Sequence, residues 1–197
     1  TITRAAGFTR DMFSLGEDPS SNKYNPTTRG RLTLSNITID GNKAANPSAS
    51  GRVVYSIGGG GVTLVNANIK NNAGDVVYGG GWGGVDFSMS GGSINYNDGS
   101  RITFTGSSVS GSNSHAYSIK DATIANNKGD LCFDGGLDMT NTTFSNNEGI
   151  TINTSGDSAI TNCTFAGCTD DAISMRDNSH VVLTNCKFTG NQENGIS

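Results

Sequence analysis

Residues 139–147 read MTNTTFSNN and residues 160–168 read ITNCTFAGC. Both follow one skeleton: apolar, polar, Asn, two residues, an aromatic, two residues, then Asn or a stand-in. The same phrase recurs as LSNITIDGN (34–42), LVNANIKNN (64–72), MSGGSINYN (89–97), FTGSSVSGS (104–112), IKDATIANN (119–127) and LTNCKFTGN (183–191). Recurrence at intervals of tens of residues is the signature of a repeat architecture, in which each unit buries its apolar face only against its neighbours.

The third position of each phrase falls at 36, 66, 91, 106, 121, 141, 162 and 185, so the spacing runs 30, 25, 15, 15, 20, 21 and 23. Two residues before this anchor stand Leu34, Leu64, Met89, Phe104, Ile119, Met139, Ile160 and Leu183, and three residues after it Ile39, Ile69, Ile94, Val109, Ile124, Phe144, Phe165 and Phe188. A strand alternates its side chains between two faces, so each column marks an inward position. The alternation changes phase at the anchor, which predicts a bend between two strands. Asn36, Asn66, Asn141, Asn162 and Asn185 suit that bend, because Asn tolerates the left-handed backbone and its amide can bond the same amide one coil away. An internal Asn ladder along this column is expected.

A third strand follows in most coils, as in GRVVY (51–55), GDVVY (74–78), GDLCF (129–133), EGITI (148–152) and DDAIS (170–174). Three strands per coil predict an all-β solenoid of about eight coils, a parallel β-helix over residues 31–197 with residues 1–30 as a cap or irregular lead-in. Coils above 20 residues with variable turns indicate the right-handed form. The two 15-residue spacings leave two paths open: two tight coils, or one irregular coil of 30 over residues 91–121. Phe8, Met12 and Phe13 are placed to cover the first edge, which would otherwise invite strand pairing.

Composition agrees. Of 197 residues 34% are apolar, 15% are charged and 28 are Gly, which argues against a helical bundle and against a charge-rich disordered chain. The net charge of −4 disfavours nucleic acid as a partner. No run approaches the roughly 20 apolar residues of a membrane-spanning helix. Thr1 opens without a signal-like segment, as expected of a mature product or an excised piece.

On the asparagine column, the FSNN and FTGN phrases (144–147, 188–191) and the stacked small and aromatic columns, the chain resembles the pectate-lyase-like right-handed β-helix superfamily. Its style is similar to bacterial adhesin and polymorphic outer-membrane surface repeats. Pectin-degrading relatives in that superfamily use paired Asp residues, or Arg or Lys as base beside Asp-held calcium. The resemblance therefore implies a catalytic reading of CTDDAISMRDNSH (168–180), with Asp170, Asp171 and Arg176 as candidates. The repeat offers the competing reading. Asp171 falls with Asp75 and Asp130 directly before the third strand, where it is a turn residue or, with those two, a calcium ligand. If Val76 and Tyr78 point inward, the outer side of that strand carries Val54, Val77, Cys132, Thr151 and Ile173, too apolar for a catalytic groove.

Other residues are weighed the same way. Trp82, in YGGGWGGV (78–85), is the candidate sugar-stacking aromatic, with a packed loop anchor as the alternative. The Gly clusters lack the strand-to-helix context of a phosphate loop. His115 and His180 read as loop histidines. Cys163 and Cys186 share one inward column in adjacent coils, as a disulfide or as a reduced stack. The sequons at Asn36, Asn141, Asn153 and Asn162 fall mostly on ladder positions.

These features lead to the expectation of a secreted or cell-surface segment, an adhesin, stalk or passenger that binds an extracellular glycan or surface protein without catalysis and without a cofactor. A polysaccharide lyase or hydrolase is the alternative, and ice binding is a distant third. The closing NGIS lies within a third strand, so further coils or another subunit are expected at that end.

Overall fold

The computed structural model describes residues 1–15, 30–57, 60–81, 86–99, 102–106, 117–133, 135–152, 157–176 and 179–197. Every strand pairing among them is parallel, as in a right-handed parallel β-helix. The larger sheet folds along the anchor column into two faces, and a second sheet closes the coil. The first face runs from Arg31–Ser35 through the 61–65 and 86–90 stretches to Tyr117–Lys120, Leu137–Thr140, Asp157–Thr161 and His180–Thr184. The second face carries Thr38–Asp40 through Lys187–Thr189. The third carries Val54–Ile57 through Ile173–Met175, with a last bridge from Ile173 to Ile196.

The inward columns are in register, with Leu64 paired to Met89, Met89 to Ile119, Ile119 to Met139, Met139 to Ile160 and Ile160 to Leu183. The phrase at 104–112 is the exception. Phe104 pairs with Gly79 and Phe133 in the third sheet, so residues 91–121 form one coil of the longer kind and not two tight ones. A buried strand of period two looks the same on every face, which is why the sequence placed Ile102–Gly106 on the wrong one. The remaining rung comes from the N-terminus: Ile2–Thr3 pairs with Thr38–Asp40, and Phe13–Leu15 with Val54–Ile57.

At the anchor bend the backbone is left-handed throughout, with φ of 51° at Asn36, 49° at Asn66, 52° at Asp121, 50° at Asn141, 53° at Asn162 and 52° at Asn185. Gly91 takes this place in the third coil, where a Cβ would stand 2.3 Å from Asn66 Oδ1. Side-chain bonds link Asn66 to Asn36 at 3.3 Å, Asn141 to Asp121 at 2.9 Å and Asn162 to Asn141 at 3.2 Å. This ladder is exposed and broken at Gly91, contrary to the expectation of a continuous internal one.

The internal ladder lies six residues further on, at Asn72, Asn97, Asn127 and Asn147, all buried. Asn97 Nδ2 donates to Asn127 Oδ1 at 3.0 Å and Asn127 Nδ2 to Asn147 Oδ1 at 2.9 Å. The side-chain oxygens of Asn97, Asn127 and Asn147 also accept the backbone N–H of the preceding ladder residue, at 2.9 Å from Asn72, 3.1 Å from Asn97 and 3.0 Å from Asn127. The amides thereby satisfy backbone groups that the bend removes from the sheets.

At the N-terminal end the ladder meets Arg4, which is only 2% exposed. Its Nη2 donates to Asn72 Oδ1 at 3.0 Å, Gly51 O at 3.0 Å and Arg52 O at 3.1 Å, and Nη1 donates to Arg10 O. Burial lowers the guanidinium pKa, and nearby Asp11 opposes that shift.

A second left-handed bend precedes the third face, at Asn71, Tyr96, Asn126, Asn146, Gly167 and Gly190. Tyr96 stands out, because a bulky side chain at φ 59° costs about 1–2 kcal/mol that Asn and Gly largely avoid.

Candidate functional site

The aspartates nominated from sequence serve the turns. Asp170 Oδ1 accepts the N–H of Asp171 at 2.9 Å, closing its own turn. Asp171 Oδ1 accepts the Asn194 N–H at 2.9 Å, stitching the turn to the next coil. Hydrogen bonds from Ser197, and then from Asn194 and Ser174, hold the Asp171 carboxyl below its ordinary range. A general acid for glycoside cleavage needs the opposite shift. Arg176 is exposed, and among the described residues its side chain has no ion-pair partner. Among the described residues no hydrogen bond or ion pair links the Arg176 side chain to the adjacent pair Asp170 and Asp171.

The calcium candidates are separated too. Val77 pairs with Ile102, Ile102 with Leu131, Leu131 with Ile150 and Ile150 with Ile173, so two rungs separate Asp75 from Asp130 and two more separate Asp130 from Asp171. At about 4.8 Å per rung, no single ion at calcium-ligand distance reaches all three. Their columns also differ: Asp75 aligns with Gly129 and Asp171, whereas Asp130 aligns with Val76 and Ala172. Asp130 Oδ2 instead accepts a hydrogen bond from Thr151 Oγ1 at 2.9 Å. Among the described residues no cluster of three His, Cys, Asp or Glu is placed to hold a metal.

Cys163 and Cys186 are free thiols in one column, donating to Thr161 O at 3.3 Å and Ile160 O at 3.2 Å. Burial pushes the Cys163 thiol up. His180 Nδ1 lies 3.1 Å from Asp157 Oδ1, both side chains exposed. Trp82, His115 and Asn153 lie outside the described residues.

The third sheet corrects the sequence reading of its outer side. Val54, Val77 and Ile173 are buried, and so are Val53, Val76 and Ala172 immediately before them, because the chain bends between the two positions. The outward column includes Tyr55, Tyr78, Cys132, Thr151 and Ser174. Tyr55 and Tyr78 stack at 5.9 Å between centroids and 27° between planes. The Arg52 guanidinium lies 4.5 Å from one ring centre and 4.3 Å from the other, and ion-pairs with Asp11 at 3.7 Å. Two adjacent rungs thus present a rigid aromatic and cationic patch on an outer face.

A second polar group surrounds the bend after the second face. Lys43 Nζ donates to Asp98 Oδ1 at 2.9 Å, and Lys128 Nζ approaches the same oxygen at 3.5 Å. The Lys43 hydrogen bond holds the Asp98 carboxyl low. The folded chain therefore releases this proton more readily than the unfolded chain. The stability this contributes is complete above the unfolded value, about 3.9, and is lost as pH falls below it. The drop in Tm between pH 7 and pH 3 at low salt is expected to shrink in Asp98→Asn; an unchanged drop contradicts the assignment.

A family model described as a right-handed beta helix region matches residues 89–197, more than half of the chain. No curated protein and no solved structure matches.

Proposed function

The chain belongs to the right-handed beta-helix family, and from that premise we propose that it is a non-catalytic binding segment of a secreted or cell-surface protein. In this reading it acts as an adhesin, stalk or passenger that presents its outer faces to an extracellular glycan or surface protein. The observation that carries it is the Tyr55–Tyr78 stack with Arg52 on the outside of the third sheet. Rigid aromatic rings beside a cation offer contact area at low entropic cost, which is how recognition surfaces are built. The use of Asp170 and Asp171 in turn hydrogen bonds adds support.

Two measurements on the same protein test the reading. Retention on a glycan or surface-protein array is expected, falling at least about tenfold in the Tyr55→Ala/Tyr78→Ala double variant. Uronic-acid and neutral polysaccharides, with and without calcium, are expected to yield neither reducing ends nor unsaturated products. Turnover that disappears in Asp170→Ala or Asp171→Ala would establish the lyase or hydrolase alternative instead.

A further inference from the structure

Tyr96 occupies a place where the repeat otherwise uses Asn or Gly, and its left-handed backbone is held from both sides. Its N–H donates to Ala125 O at 3.3 Å, and its carbonyl accepts Lys43 Nζ at 2.7 Å. Tyr96 is 54% exposed, and among the described residues its ring has no stacking partner. A bulky, largely exposed residue held in a strained backbone points to a role outside the folded chain.

Beside it lies a depression of about 340 Å³, lined by Asn126, Lys128, Asn146, Glu148 and Thr169. That volume is at the small end of ligand sites. Asn126 and Asn146 follow Tyr96 along the same bend column, so Tyr96 stands one rung before the first lining residue of the depression. The two amides are bonded to each other, Asn146 Nδ2 to Asn126 Oδ1 at 3.1 Å, which fixes their planes. The lining carries amide, hydroxyl and charged groups, and its charges are of both signs, with Lys128 beside Asp98 and Glu148 also present.

We propose that this depression is a subsite for one ring of a neutral saccharide, with Tyr96 stacking on the sugar's C–H face and the amides, Lys128 and Glu148 reading its hydroxyls. Mixed charge disfavours a polyuronate, whose carboxylates would meet Glu148 and Asp98. The inference rests on the binding reading above but uses a site separate from the Tyr55–Tyr78 face.

Mannotriose and cellotriose serve as neutral probes and trigalacturonate as the acidic one, with affinity read by calorimetry and contact by saturation-transfer NMR. A neutral probe is expected to bind more tightly than trigalacturonate. Tyr96→Phe should keep that affinity within about twofold, and Tyr96→Asn should weaken it at least about tenfold. Because Asn is the residue the bend uses elsewhere, Tyr96→Asn should also raise Tm by a few degrees, which separates lost binding from lost folding. Asn146→Ala should weaken binding as well.

Unchanged affinity in Tyr96→Asn, or tighter binding of trigalacturonate, overturns the subsite. If a probe binds and is lost only in Tyr55→Ala/Tyr78→Ala, the subsite falls while the broader reading stands. If no probe binds, the subsite falls; if the array also retains nothing, both fall.

Discussion

Asn127→Ala is expected to lower the free energy of unfolding by about 3–5 kcal/mol. Asn127 is 4% exposed, and its Oδ1 accepts both the N–H and the Nδ2–H of Asn97. Its own Nδ2 donates to Ile94 O at 2.9 Å and to Asn147 Oδ1. Alanine removes every one of these bonds and leaves buried donors and acceptors unmatched, each costing about 1–3 kcal/mol. Urea unfolding with an unchanged m-value measures the effect. A loss below about 1 kcal/mol would mean that water or a backbone shift replaces the amide, and the ladder would then not hold the bend.

Phe165→Ala is the second large effect, again about 3–5 kcal/mol. Phe165 is fully buried between Phe144, at 5.9 Å and 46°, and Phe188, at 5.0 Å and 9°. Removing the middle ring opens a void that the rigid rungs on either side cannot close. In a solenoid each coil is stabilised mainly by its neighbours, so the loss should be local. Hydrogen exchange is expected to accelerate in the coils holding residues 164–166 and 187–189 and to change little around 62–69. Uniform acceleration along the chain would contradict that.

The first two faces were legible in the sequence because one inward residue recurs on each side of every anchor except that at 106, and the left-handed bend was legible because Asn fills most of it. Which asparagine column is buried was not. Asn141 and Asn147 are chemically identical in the phrase, and only the direction of each bend turns one outward and the other in. The third face resisted for a different reason. Val76 and Val77 are both buried across a bend, so the alternation that normally assigns sides has no phase there. That shifted the outer column by one and hid Tyr55 and Tyr78. Asp130 was misaligned by one residue through the recurrence of GD. Arg4 left no local signal at all, since its partner Asn72 is 68 residues away.

The buried ladder has one further consequence. In the bonded pairs Asn97–Asn127 and Asn127–Asn147 the accepting oxygen faces the N-terminal coil and one Nδ2–H of the donor faces the C-terminal one, so a component of each amide dipole adds along the axis, as along an α-helix. The guanidinium of Arg4 then sits at the negative pole of that row, as a cation does at a helix C-terminus. The solenoid interior therefore has an electrical direction. Another coil can join the ladder only head to tail, and a head-to-head junction would set like poles against each other.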